Sequence, residues 1–135
     1  MMPLTATKEF TYAVDLGESG TVRNEDGTPF DPPADWSPEH LVLAGLVRCT
    51  LKSLRHHARR AGIEVTHATG SARGLVRKRD TDGRYAVVRT EVSLDVSLEP
   101  QPGRAERSEL LARAERDCFV GASLTSPPRY RWNVS

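Results

Sequence analysis

The spacing of hydrophobic and polar residues predicts several strands. Apolar side chains occupy every second position from Phe10 to Leu16, which is typical of a half-buried strand. Turn-forming sequences at residues 17–20 and 24–27 enclose a second, short strand. Residues 63–79 and 84–98 flank a turn at 80–83, which predicts a long β-hairpin, and residues 129–134 read as a short final strand.

A long helix is predicted between the first strands and the hairpin. Ser37, Pro38 and Glu39 supply an N-cap, a proline at the first helical position and an acid in the first turn. The helix should run to about Ala61, and Gly62 should end it in a left-handed conformation. Its first half is apolar nearly all round, which indicates burial in the core or against a partner subunit.

A second helix is predicted over residues 108–124, with Ser108 as its N-cap and Cys118 on its apolar side. The order of strands, long helix, hairpin, helix and strand predicts an α+β fold, with antiparallel sheets packed on two main helices. A chain of 135 residues is expected to form a single domain over residues 1–135.

Composition narrows the possible functions. Hydrophobic residues make up 38% and charged residues 27%, as in ordinary globular proteins, and the net charge of +1 gives no general attraction to nucleic acid. The start of the chain lacks the features of a signal peptide, and no apolar run is long enough to span a membrane. Two cysteines are too few for a secreted disulfide scaffold, so a cytoplasmic protein with reduced thiols is expected.

The two cysteines, Cys49 and Cys118, lie one in each predicted helix. Because strand-like sequence separates them, the thiols meet only if the fold brings the two helices together. If they meet, we expect a reactive thiolate and a resolving thiol. If they do not, both are small buried hydrophobic residues without chemistry.

Activation of Cys49 needs a group from elsewhere in the fold. A thiol with a pKa near ~8.5 requires a nearby cation or helix N-terminus to react as a thiolate, and Cys49 lies in mid-helix. Glu39 is the obvious residue to hold an arginine there; otherwise it only stabilises the helix N-terminus. Glu39 and Cys49 are ten positions apart, which corresponds to about 15 Å of helical rise, so one helix cannot bring both side chains to one site. Two helices packed antiparallel could, which favours an intersubunit site if Glu39 is catalytic.

The segment Ser37-Pro38-Glu39-His40-Leu41, followed by an apolar helix and Cys49, resembles the first-cysteine motif of the OsmC/Ohr family of thiol-dependent peroxidases. Residues 114–124 are similar to the family's segment around its second cysteine, and the hairpin between them also fits. The resemblance implies an OsmC-like fold and an intertwined homodimer with active sites at the subunit interface.

The resemblance also implies roles for individual residues. Cys49 would be the peroxidatic thiolate, Cys118 the resolving thiol, and Glu39 the residue that positions an arginine. The substrate would be an organic hydroperoxide, contacted by Trp36 and Phe119, and an external dithiol would reduce the resulting disulfide. No cofactor and no metal are expected.

The chain departs from the family at the activating arginine. One branch carries it in a Gly-Arg-x-Gly turn, where this chain has Gly17-Glu18-Ser19-Gly20. A carboxylate near a thiol raises its pKa. Arg23 and Arg48 are the candidate replacements. This departure favours the alternative function, a non-catalytic small-ligand-binding or redox-sensing protein of the same fold.

The other polar clusters have structural interpretations. The spacing of His56 and His57 from Cys49 matches no zinc pattern, so a solvated helix end is expected. The scattered arginines lack interleaved aromatic residues and are expected to be solvated or to form salt bridges between subunits. Trp36 can equally be a core anchor beside the helix start.

Overall fold

The structure is a computed structural model that describes residues 7–135 and divides into two compact units between Trp36 and Ser37. Residues 1–6, where the sequence predicts no signal peptide, lie outside the described residues. The first unit contains a three-stranded antiparallel sheet in the order β1-β2-β3. Its strands are β1 Val14–Leu16, β2 Val22–Asn24 and β3 Pro29–Phe30.

The first strand differs from the prediction in length and in burial. Phe10 and Tyr12 lie outside any strand, and Val14 and Leu16 are 73% and 75% exposed rather than half-buried. A sheet made of two- and three-residue strands is too small to bury a face of its own. The alternation therefore predicted a strand in this segment correctly, but the prediction that the strand is half-buried is wrong.

The second unit contains three helices and the second three-stranded sheet, in the order β4-β5-β6. Its elements are α1 Pro38–Arg60, β4 Glu64–Lys78, β5 Tyr85–Glu99, α2 Arg104–Arg116, α3 Phe119–Ser123 and β6 Arg129–Val134.

Helix α1 begins and ends as predicted. The backbone N–H of His40 donates to the Ser37 hydroxyl, and the His40 ring accepts from the Ser37 backbone N–H in return, so both groups of the cap are satisfied. At the other end, Gly62 has a φ of +74°, the left-handed conformation that ends many helices.

The hairpin is confirmed, with β4 and β5 antiparallel along their whole length. On β5 the alternate residues Val92, Leu94, Val96 and Leu98 are buried and form the sheet's share of the core. The final strand differs from expectation because β6 pairs parallel with β5. Helices α2 and α3 cross from one strand to the other and return the chain in the same direction, which is how parallel neighbours are connected.

The second predicted helix is two helices with a junction between them. Helix α2 starts at Arg104 behind Gly103, so Ser108 lies inside the helix rather than at its cap. The first four residues, Arg-Ala-Glu-Arg, are strong helix formers and begin the helix a turn earlier. The chain leaves α2 at Asp117, and Cys118 is the N-cap of the short helix α3 rather than an interior helical residue.

The core has two hydrophobic clusters between α1 and the sheet. One is centred on Leu54, Val96 and Leu98 and includes residues of α2. The other contains Leu46, Val92, Leu94 and Cys118. The second cysteine is therefore a core residue at the place where α1, β5 and the α2–α3 junction meet. Among residues 7–135, no helix is long and apolar enough to cross a membrane.

Candidate thiol site

The fold brings the two cysteines together. Cys49 lies on α1 and packs against the cluster that contains Cys118, and the Cys118 thiol is near enough to raise the pKa of Cys49. Both are free thiols. Cys118 is 0% exposed, whereas Cys49 is partly exposed. Cys49 therefore has some surface that an incoming molecule can reach, whereas Cys118 is enclosed by the core.

The start of α3 surrounds the sulfurs with backbone donors. The N–H of Gly121 donates to Cys118 Sγ over 3.4 Å. The N–H groups of Phe119 and Val120 lower the pKa of Cys49 by hydrogen bonding to its sulfur. Because backbone N–H groups stabilise an anion without carrying a counter-charge, this turn is suited to hold negative charge on either sulfur.

Burial nevertheless dominates the behaviour of Cys49. Loss of water raises the pKa of this thiol, and the neighbouring Cys118 raises it further through a hydrogen bond and charge repulsion. The N–H groups of Val120 and Phe119 offset this only in part. No cation is among the leading influences on Cys49, so within residues 37–135 the thiol is partly buried and not strongly activated.

Two hydroxyl groups lie beside Cys118. Thr50, which follows Cys49 on α1, is completely buried, and its Oγ1 lies 2.9 Å from the Leu46 carbonyl oxygen and 3.4 Å from Cys118 Sγ. The hydroxyl of Tyr130 on β6 is buried beside Thr50 and Cys118, in an orientation that gives it no well-formed hydrogen bond. Burial raises the pKa of Tyr130 to about 12. Both groups therefore stay protonated at neutral pH.

Glu39 lies at the N-terminus of α1 and is exposed. Its pKa is lowered by a hydrogen bond from its own backbone N–H and by one from the Ser37 hydroxyl. These contacts give it the role of an acid stabilising a helix N-terminus. Its catalytic role in holding an arginine stays a prediction.

Of the other predicted site residues, Arg48, Arg23 and Trp36 are not among the groups that influence Cys49. Arg48 is exposed on α1. Arg23 and Trp36 belong to the first unit, where Arg23 Nη1 donates to the Gly27 carbonyl oxygen over 3.0 Å. Phe119 adjoins Cys118 and has an exposed ring, so it is the predicted substrate-contacting residue that lies beside the sulfurs.

The histidine pair is not simply a solvated helix end. His57 is mostly buried, and its Nε2 lies 2.7 Å from Asp117 Oδ2 at the α2–α3 junction. Arg116 and then His57 hold the pKa of Asp117 at about 2. This contact fixes the residue immediately before Cys118 to α1. Among residues 7–135, no group of three or more histidine, cysteine or acidic side chains is arranged to hold a metal.

Three residues of the site were not predicted from the sequence: Thr50, Gly121 and Tyr130. A Cβ built on Gly121 would lie 3.0 Å from the Tyr130 hydroxyl and 3.4 Å from Cys118 Sγ, so the glycine lets β6 and the sulfur approach each other. The position of Thr50 beside Cys49 was a usable signal for its involvement. Nothing local in the sequence indicated Tyr130, which reaches the site only through the parallel pairing of β6.

Comparison with known proteins identifies the fold. A family model described as OsmC-like protein matches residues 31–133. A solved OsmC-like protein of unknown function from Vibrio cholerae superimposes with a TM-score of 0.73 at 16% identity, over 93% of this chain and 99% of that chain. An OsmC-like protein from Mycoplasma pneumoniae gives 0.67 at 16% identity, over 96% and 98% of the two chains.

The organic hydroperoxide resistance protein OhrB of Bacillus subtilis superimposes with a TM-score of 0.56 at 21% identity, over 93% of this chain and 96% of that chain. At such identities the structures show a shared fold. No curated protein matches the sequence. The α+β architecture and the sequence resemblance are thus confirmed.

Proposed function

We propose that this chain, which belongs to the OsmC-like protein family, is a thiol-dependent peroxidase that reduces organic hydroperoxides. The proposal rests on the proximity of Cys49 and Cys118, which lie 69 residues apart in the sequence and pack together at the start of α3. The match to the family model and the fold shared with a hydroperoxide resistance protein support it.

The difference in burial supports a division of labour between the thiols. Cys49 is partly exposed and can meet a peroxide, so we assign it the peroxidatic role. Cys118 has no exposed surface and can react only with a neighbour, so we assign it the resolving role. The apolar residues around the pair favour a peroxide with an organic group over hydrogen peroxide.

The reaction would proceed in three balanced steps. The Cys49 thiolate attacks the O–O bond, takes one oxygen as a sulfenic acid, and releases an alcohol after one proton is added. The Cys118 sulfur then attacks the sulfenic sulfur, and the hydroxyl leaves as water with the proton of the Cys118 thiol. An external dithiol reduces the disulfide and is itself oxidised. The need for reduced thiols and a dithiol fits the cytoplasm.

A homodimer would complete the site. The pKa of Cys49 is raised, so activation would need a cation, supplied by Arg48, by Arg23 or by an arginine of a partner subunit. The exposed apolar side chains Leu41 and Val42 near the start of α1 supply a surface for a second copy. In that dimer Glu39 would hold the arginine against the other subunit's thiol, and Trp36 would line the substrate entrance.

The test is turnover of cumene hydroperoxide with a small dithiol as reductant. We expect the wild type to consume the peroxide faster than the buffer alone, and Cys49→Ser to fall to the buffer rate. Cys118→Ser should form the sulfenic acid, trappable by dimedone, but no intramolecular disulfide. Equal rates for wild type and Cys49→Ser would refute the proposal.

The alternative function is a redox-sensing or small-ligand-binding protein of the same fold. The raised pKa of Cys49 favours it, because a poorly activated thiol reacts slowly with peroxides. In that case the cysteine pair would still form a disulfide with strong oxidants, while turnover of cumene hydroperoxide would not exceed the buffer rate.

A further inference from the structure

The resolving sulfur has its own set of donors, separate from those of Cys49. Thr50 Oγ1 lies 3.4 Å from Cys118 Sγ, and the Gly121 N–H donates to the same sulfur. The Tyr130 hydroxyl is buried against both Thr50 and Cys118. These groups come from α1, α3 and β6, so three elements converge on a sulfur with no exposed surface.

The hydroxyl of Thr50 has one proton and two acceptors. The Leu46 carbonyl oxygen at 2.9 Å is the better acceptor while the Cys118 sulfur carries its own proton. Once the sulfur becomes a thiolate, it is a charged acceptor, and hydrogen bonds to charged groups are the stronger ones. Rotation about a single bond moves the donation from Leu46 to Cys118.

The Tyr130 hydroxyl is available to donate a hydrogen bond. Within residues 7–135 it is one of three buried side-chain polar atoms without a hydrogen bond, together with Ser53 Oγ and Thr90 Oγ1. A buried hydroxyl without a partner is destabilising, so its retention beside a sulfur calls for an explanation. Because burial keeps it protonated, it can donate to a thiolate at neutral pH.

We propose that Thr50 and Tyr130 are positioning residues for the resolving step: their hydroxyls donate to the Cys118 thiolate and so make a fully enclosed sulfur able to attack oxidised Cys49. This inference rests on the proposed function for its physiological oxidant. In that reaction the S–S bond forms, the S–O bond of the sulfenic acid breaks, and the proton of the Cys118 thiol leaves in water. The hydroxyls keep their own protons throughout.

The resolving step can be measured without any peroxide. Dithionitrobenzoate, an aromatic disulfide, should react first with exposed Cys49 and release one coloured thiolate. Cys118 then attacks the mixed disulfide at Cys49 and releases the second, so two phases report the two cysteines separately. The readout is the ratio of the second rate to the first, in full-length protein.

Thr50→Val removes the hydroxyl and keeps the shape, and should lower the ratio about tenfold. Tyr130→Phe should lower it by a similar factor, about tenfold. Thr50→Ser keeps the hydroxyl and should restore the ratio, which loss of packing alone would not do. Thr90→Val makes the same change at another buried threonine and serves as the matched control. Tyr130→Phe decides the matter if Thr50→Val does not fold.

A ratio in Thr50→Val within about twofold of wild type would overturn the role of Thr50, and the same result in Tyr130→Phe would overturn that of Tyr130. An equal fall in Thr90→Val would also overturn the proposal, because it would show a general packing effect. Repeating the measurement with cumene hydroperoxide separates the two claims. Failure of Cys49 to oxidise would refute the peroxidase function and leave the dithionitrobenzoate result intact.

Discussion

At the scale of single residues, the site is a balance between burial and hydrogen bonding at two sulfurs. Cys49 is close enough to the surface to meet a substrate, but burial and the neighbouring thiol keep its pKa above the ordinary value. The N–H groups of Phe119 and Val120 act in the opposite direction. A reactive Cys49 would therefore need a cation, and none is among these influences.

The influence of Cys118 on Cys49 gives the first prediction. Because Cys118 raises the pKa of Cys49, Cys118→Ala should lower that pKa and increase the thiolate fraction at any given pH. The pH dependence of alkylation by iodoacetamide measures this, and its midpoint should move to lower pH in the variant. A midpoint that stays unchanged or rises would contradict the account.

Asp117 gives a prediction about stability and pH. Its pKa is about 2 in the folded chain against 3.8 for the free side chain, so it stabilises the fold above pH 3.8 and the contribution is lost as the pH falls toward 2. The carboxylate is 38% exposed, so solvent screening limits the effect to below ~1 kcal/mol. Urea unfolding should show Asp117→Asn less stable than wild type at neutral pH, with a difference that shrinks as the pH falls from about 4. A constant difference would contradict the assignment.

At the scale of helices and strands, the sequence correctly predicted the features that depend on residues close together in the chain. The cap at Ser37, the glycine after α1 and the alternation on β5 all lie within a few residues of what they specify, and all three are confirmed. The break before Cys118 was missed because Asp117 is held by His57, which is 60 residues away on α1. The parallel pairing of β6 was missed for the same reason, and with it Tyr130.

The close packing of α1 against the sheet gives a prediction about stability. A Cβ on Gly70 of β4 would lie 2.7 Å from Leu94 Cδ2, 3.1 Å from the Ser93 carbonyl oxygen and 3.1 Å from Val47 Cγ1. Because backbone and packed side chains meet there, Gly70→Ala should lower the free energy of unfolding by about 1–3 kcal/mol.

Gly74 on the same strand is the matched control for this substitution. A Cβ there would approach only the ends of side chains, with Leu43 Cδ2 nearest at 3.2 Å. Gly74→Ala should therefore be the milder change. Chemical denaturation of both variants measures the difference, and equal effects would contradict the close approach at Gly70.

At the scale of the whole molecule, the exposed apolar residues near the start of α1 fit a second copy of the chain. Val42 is 41% exposed. Glu39 and Cys49 are ten positions apart on α1, which is too far for one helix to bring both side chains to one site. The proposed dimer, with α1 helices packed antiparallel, would account for both features. It also offers a source for the missing cation.

The proposed dimer can be tested by the mass of the protein in solution and by a substitution at the proposed interface that should halve that mass. Light scattering should give twice the chain mass of 14.9 kDa for the wild type. Val42→Asp buries a charge in the proposed interface and should shift the protein to monomer, with loss of peroxide turnover. Lys52→Glu, an exposed charge change on the same helix, is the control and should stay dimeric. A monomeric wild type would refute the dimer.

In the proposed reaction, Cys49 and Cys118 act as one redox pair toward organic hydroperoxides. The most direct measurement is mass spectrometry of the reduced protein after addition of one equivalent of cumene hydroperoxide. We expect one Cys49–Cys118 disulfide per chain within the first turnover, and a stable Cys49 sulfenic acid in its place in Cys118→Ser. Recovery of both cysteines as free thiols, with the peroxide unconsumed, would contradict it.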